Sequence, residues 1–343
     1  MINQSESKKL TPPRMIPVIV AGFNTVANHI WLILLPVMLD LLLWFAPKLS
    51  IKNLVMPQIT DMTNTLMRLG SPELTKTLAD TEKIWNDVLG QYSVLNALRT
   101  IPVGVPSIIA RMLNQSNPIG SPLVVELPNS TIAFVAFIVL TLVGFFLGSI
   151  YFNQISRTTA PQPEKMQIAV LGRQFLDSFL MALLILVVGL FLIIPISFFL
   201  SLFSLFGSNV MQFLLLVAGF VLLWMLIPFV FSPHGVFIMQ QRAVPAMVMS
   251  SRMVRLFLPG TGSFVLTCAL INEGLNLLWT STPSNSWLTL IGILAHAFVV
   301  TALLTATFIY YREGFKWMQV NMQRVSATAS KRPENGGFFG GNQ

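Results

Sequence analysis

Charge is what this chain has least of. Only 10% of its 343 residues are charged and 54% are hydrophobic, whereas a soluble domain carries about a quarter charged residues. So apolar a chain has too little polar surface to stay in water, and it belongs in a bilayer. Cysteine is almost absent. The single Cys268 excludes an intrachain disulfide and any cysteine-rich zinc site. Histidine is scarce too, and His29, His234 and His296 are too scattered to suggest a metal site. No HExxH, Walker loop, GxSxG or paired acidic motif is found, so no catalytic residues, cofactor or metal are assigned. The SxxK spacing at Ser5–Lys8 sits in a polar tail and reads as chance.

Against this background stand six long apolar stretches, residues 29–46, 132–151, 175–200, 210–231, 263–279 and 287–311. Each suits the roughly 20 residues of helix that cross a hydrocarbon core. Two of the connections between them, 201–209 and 281–286, carry no charge at all. Basic residues fill the alternate segments: Lys8, Lys9 and Arg14, then Arg157, Lys165 and Arg173, then Arg242, Arg252 and Arg255, then Arg312, Lys316, Arg324, Lys331 and Arg332. This is the positive-inside pattern, and it places both termini in the cytoplasm. The net charge of +8 therefore faces anionic lipid headgroups, not nucleic acid, because it flanks spans instead of forming a stripe among aromatic platforms. Trp31, Tyr151, Tyr310, Tyr311 and Trp317 are expected as interface anchors on one face, with Trp44, Trp279 and Trp287 on the other.

The expected class is all-α: a polytopic bundle of six transmembrane helices with cytoplasmic interfacial helices and an α-helical extracytoplasmic cap. Residues 1–28 form the cytoplasmic N-terminus and an interfacial helix, and 29–46 the first span. Residues 47–131 form the cap, 132–311 hold spans two to six, and 312–343 are a tail that ends in disorder. Within the cap, Ile59, Met62, Leu66 and Leu69 share one helical face, and Leu74, Leu78, Trp85, Val88, Tyr92 and Leu95 another. Pro102, Gly104 and Pro106 end its helical part. Short amphipathic stretches beginning near Arg14, Glu164 and Arg242 precede the odd-numbered spans, as three copies of one parallel unit.

The stretch AVPAMVMSSRMVRLFLPG at 243–260 and the exit TALLTATFIYYREGF at 301–315 resemble the membrane-domain family named for glycerophosphoryl diester phosphodiesterases, and related six-span bacterial membrane proteins. The likeness rests on Ala246, Ser250, Val254 and Arg255 and on the Tyr310–Tyr311 pair, over about the last third of the chain. Gln240 and Gln241 stand where that pattern has Glu, and the catalytic barrel is absent. The resemblance implies a six-span bundle and no phosphodiesterase activity.

Ionisable residues inside spans cost about 2.5–3.5 kcal/mol each at bilayer centre, so they turn inward and find partners. Asp40, Glu273 and His296 are such residues, Asn272 and Asn276 add polar groups beside Glu273, and Asp177 lies near the inner end of the third span. At 1.5 Å per residue, Glu273 and His296 lie roughly 9 and 14 Å below Trp279 and Trp287, which predicts that they meet. Two roles fit them: hydrogen-bonded packing, or the lining of a wet cavity for a polar solute or a proton relay. Gly144 and Gly148 form a GxxxG, expected to pack helices. The function expected is a non-enzymatic membrane protein of the bacterial cytoplasmic membrane, permease-like or an envelope-assembly component. The alternative is a structural subunit whose cap docks a protein partner of a membrane complex.

Overall fold

The computed structural model describes residues 11–69, 72–112, 116–162, 167–203 and 208–330. The expected disorder of the tail beyond 330, and the turn at 204–207, fall outside them. The protein is an all-α bundle. Among the described residues, four helices are long and apolar enough to cross a membrane: α5 (Ser130–Thr158), α6 (Ile168–Phe203), α7 (Ser208–Leu226) with its continuation through the short α8 (Ser232–Ile238), and α11 (Leu288–Ser330). Two more crossings arise only if each of two bent pairs counts as one, giving up to six. The first pair is α1 (Met15–Asn28) with the 3-10 turn Ile30–Ile33 and α2 (Leu34–Phe45), bent by 93°. The second is α9 (Ala243–Leu256) with α10 (Leu258–Thr280), bent by 105°.

The two bends are alike in detail. Each follows a 14-residue helix and turns at one residue of nearly the same conformation, His29 (φ −132°, ψ 58°) and Phe257 (φ −138°, ψ 50°). Pro259 follows the second bend in the first turn of α10, where its missing N–H leaves no helical bond unmade. The expected third copy departs from this plan, because α6 runs straight from Ile168 into its apolar stretch. The first arm is not only interfacial. Val18, Gly22 and Val26 of α1 are buried, and Phe23 meets Phe298 of α11 edge-on at 5.9 Å. At Gly22 a Cβ would stand 2.5 Å from the Ala302 carbonyl oxygen and 2.8 Å from Ala306 Cβ, so only glycine lets the two backbones approach this closely.

Contacts between distant residues define two ends. At the basic end, Arg173 donates to the Gln240 carbonyl, Arg312 Nη2 donates to the Ser156 carbonyl, and Phe257 packs on Trp317. At the opposite end, Trp44 Nε1 donates to the Ser284 carbonyl at 3.0 Å, its ring meets Trp287, and Asn117 Nδ2 donates to the Trp44 carbonyl. Four expected anchors are instead core, Trp44 among them. Tyr151, Tyr310 and Tyr311 are all fully buried, with Tyr310 stacked on Phe264 at 4.1 Å and Tyr151 Oη bonded to Thr301. Facing hydroxyls satisfy Tyr151 and Tyr310, while Tyr311 Oη is buried with no hydrogen-bond partner among the described residues.

The segment read as a cap divides in two. Residues 52–91 are a helical hairpin, α3 (Lys52–Leu69) and α4 (Pro72–Gln91), tied where Thr60 and Thr63 both donate to the Glu82 carboxylate. Its root is clamped by a two-stranded parallel sheet, β1 (Lys48–Ser50) with β2 (Val124–Glu126). Lys48 Nζ also donates to the Gly90 carbonyl there, and burial holds its ammonium pKa below the ordinary lysine value. Residues 93–112 pack into the bundle instead of standing over it. Val94, Leu98, Val103, Val105, Ile108 and Ile109 belong to the main core. Leu98–Gly104 descends to Gly144 and Gly148, where an added Cβ would strike the Leu98 carbonyl or stand 2.7 Å from Gly104 Cα. Those glycines lie roughly 21 and 27 Å from the start of α5, the first at its midpoint and the second past it. The chain thus enters the bundle from the hairpin end, turns, and leaves by the same end. Its backbone has no regular helix beyond two short 3-10 turns, and such backbone is tolerated at depth only when protein surrounds it.

Candidate functional site

The re-entrant segment brings polar chemistry into the hairpin end. Asp40 of α2 is fully buried and serves as its anchor. The carboxylate accepts from Ser107 Oγ, from Ile108 N at 3.3 Å and from Ile109 N at 3.1 Å. Three donors converge on it just where the 3-10 turn Ile109–Arg111 begins, so the carboxylate takes up backbone N–H groups that this turn leaves free. Asp40 therefore has its role in holding the loop rather than in lining a cavity.

The loop in turn presents Arg111. Its guanidinium grips Glu273 of α10 with two parallel bonds, Nη1 to Oε2 and Nη2 to Oε1, both at 2.9 Å. Asn272 Nδ2 adds a third donor to Oε1 at 3.0 Å. One helical turn further on, Asn276 Oδ1 accepts from His296 Nδ1 of α11 at 2.9 Å. The expected Glu273–His296 pair is not made. No bond or ion pair joins them among the described residues, because Arg111, which no span supplies, claims the carboxylate first. Glu273 also does not turn into the core. Its side chain is 56% exposed and borders an open cavity.

That cavity has a volume of about 640 Å³ and is lined by Arg111, Ser116, Glu273, Asn276, Thr280 and the turn 281–285. Asn276 Nδ2 at its wall, Nε2 of the His296 bonded to Asn276, and Trp279 Nε1 one turn further along α10 are buried with no hydrogen-bond partner among the described residues. Buried polar groups are nearly always paired, so three together mark a place with hydrogen-bonding capacity in reserve. Of the residues singled out from sequence, the structure gathers Asn272, Glu273, Asn276 and His296 and ties Asp40 in through the loop. Gly144 and Gly148 do mediate packing, but against the re-entrant backbone rather than against a helix.

Asp177 lies at the other end. It is buried, accepts from Ala243 N at 3.3 Å and has Arg242 at 3.8 Å, so it caps α9 from a neighbouring helix. His234 is packed between Phe231 and Phe308 with Nε2 on Thr307. A second, separate cavity of about 400 Å³ opens there around Ser156, Arg157, Gln240 and Arg312. Along α11 the packed Tyr151–Thr301 and Phe152–Phe308 contacts stand between the two cavities.

Sequence reasoning missed Arg99, Ser107 and Arg111. One signal was available. Residues 94–112 are too apolar for a solvated cap, yet Pro102, Gly104 and Pro106 bar a helix. An apolar stretch that cannot be helical must be buried, and the GxxxG of α5 offered the close approach. Comparison of the chain with protein-family models, curated proteins and solved structures finds no match.

Proposed function

We propose that this chain is a non-enzymatic, permease-like or envelope-assembly component of a bacterial cytoplasmic membrane, with both termini cytoplasmic and the hairpin end outside. The likeness of its last third to the six-span phosphodiesterase membrane domains is part of the same proposal. In this reading the 640 Å³ cavity receives a small polar solute carrying both charges. One observation supports it above others: the re-entrant loop places a cation–carboxylate pair, Arg111–Glu273, at the cavity wall beside unspent hydrogen-bonding groups. Irregular backbone inside a bundle is where membrane transporters expose polar groups to solutes.

The test is a titration of protein in nanodiscs with zwitterionic amino acids, dicarboxylates and inorganic phosphate, following thermal unfolding. A ligand at 100 times its Kd stabilises the folded state by about 2.7 kcal/mol, a readable shift. At least one solute is expected to raise the unfolding temperature of the wild type, and Glu273→Gln and Asn276→Ala are expected to abolish that rise while folding normally. A full panel without any shift, or a shift that both variants retain, overturns the proposal.

A second reading rests on a different surface. Met62, Leu66, Ile84, Trp85 and Val88 are exposed on the hairpin, which suits a protein partner of a membrane complex. Replacing residues 52–91 by a short linker is then expected to leave the bundle's unfolding temperature within a few degrees and to dissociate a larger native assembly. An assembly of unchanged size in the shortened chain would rule this reading out.

A further inference from the structure

The re-entrant loop carries a second arginine, and its surroundings differ from those of Arg111. Arg99 follows the 3-10 turn Val94–Leu98. Its guanidinium makes no hydrogen bond and no ion pair among the described residues, whereas Arg111 is fully engaged. The carboxylates close enough to attract it are Asp40 and Glu273, and Arg111 is close enough to repel it. Both carboxylates are spent: Asp40 on the loop's own donors, Glu273 on Arg111. Arg99 is therefore a cation inside the bundle with its fork of N–H donors unused.

It borders the largest of the described cavities, about 860 Å³, within the range of ligand sites. The walls are apolar: Phe137, Leu142 and Phe145 from α5, and Phe179, Leu183 and Leu186 from α6. Phe145 and Phe179 meet edge-on at 5.7 Å and close the deep end. Phe137, Leu183 and Leu186 are exposed, so the groove opens sideways between α5 and α6, toward the hydrocarbon and not toward water. Tyr92 and Asn96 stand at its hairpin end.

We propose that this groove is a binding site for an anionic phospholipid, whose acyl chain lies along the α5–α6 walls and whose phosphate pairs with Arg99. Three features of the groove select that occupant. The sideways opening admits molecules from the membrane; the apolar walls match an acyl chain; and the free guanidinium fork matches phosphate oxygens, which it bonds in pairs. An arginine at this depth is costly without a partner, so an anion that arrives within the membrane relieves the cost. The lining of this groove shares no residue with that of the Arg111–Glu273 cavity.

The experiment uses the whole chain in nanodiscs of equal phosphatidylglycerol and phosphatidylcholine with matched chains, then native mass spectrometry of the lipids retained on release. The wild type is expected to retain phosphatidylglycerol preferentially. Arg99→Gln is expected to lower that preference roughly tenfold, the scale of one charge-assisted contact, and Arg99→Lys to keep part of it. Thr141→Trp, which fills the groove from α5, is expected to lose both lipids. Equal retention of the two lipids by the wild type overturns the proposal. So does an undiminished preference in an Arg99→Gln protein with wild-type thermal unfolding. Should Arg99→Gln fail to fold, the wild-type ratio and Thr141→Trp decide the matter by themselves, and an unchanged lipid count in Thr141→Trp overturns it.

Discussion

Asp40 shows how much a single side chain can hold in an interior without water. Its carboxylate satisfies the Ser107 hydroxyl and two backbone N–H groups of a loop that has no helix to satisfy them. Each buried donor left without a partner costs about 1–3 kcal/mol. Asp40→Ala is thus expected to destabilise the folded bundle by about 3 kcal/mol or more. Asp40→Asn, which keeps one acceptor oxygen, should lose about half as much. Thermal unfolding in one detergent would measure both, and equal stability of Asp40→Ala and wild type would refute the anchor. The Arg111–Glu273 pair is a different case. It is well formed but half exposed, with side-chain exposures of 33% and 56%. Surface pairs of this kind couple by about 0.2–1 kcal/mol, so its value lies in positioning charge at a cavity, not in stability. The sequence marked Glu273 and Asn276 because polar residues in an apolar helix stand out. It did not mark Arg111, which looks ordinary in a segment that carries both signs of charge.

Among the elements, α5 and the re-entrant loop depend on each other. The Gly144–Gly148 stripe was legible as a packing motif, but its partner was not, since GxxxG specifies a close approach and not what approaches. The structure answers mainly with backbone: the Leu98 carbonyl, beside the Thr100 methyl, over Gly144, and Val103 and Gly104 over Gly148. Backbone cannot rotate aside as a side chain does. Gly148→Ala is therefore expected to expel the loop and give aggregated protein on size-exclusion chromatography. Gly189→Ala in α6 is the control, because a Cβ there meets nothing within 4 Å and alanine favours the helix by about 0.5–1 kcal/mol. A monodisperse, stable Gly148→Ala protein would show that the loop does not need this contact. The two bent pairs teach the converse lesson. Their amphipathic arms were visible in sequence, yet α1 turns its apolar face onto α11 at Ala302 and Ala306 and becomes part of the core.

For the whole molecule, the contacts gather Arg173, Arg242 and Arg312 at one end and the hairpin root at the other. This arrangement predicts opposite accessibility to a membrane-impermeant thiol reagent. Lys83→Cys on the hairpin should react from the outside of intact cells, and Arg252→Cys only after permeabilisation. Background is low because the sole cysteine, Cys268, is buried. Labelling of both positions from the same side would sink the proposed topology. The sequence alone determined the class of molecule, the apolar stretches and the segregation of basic residues, because these are local: helix length, hydropathy and flanking charge are written in consecutive residues. It also marked Asp40, Glu273, Asn276 and His296 as polar exceptions. Tertiary structure alone decided their partners, the burial of Tyr151, Tyr310 and Tyr311, and the descent of residues 93–112 into the bundle. Those outcomes are set by which surfaces meet across long separations, as when Asp40 meets Ser107 or Arg111 meets Glu273. No window along the chain contains both partners, so the meeting of surfaces is a property of the fold.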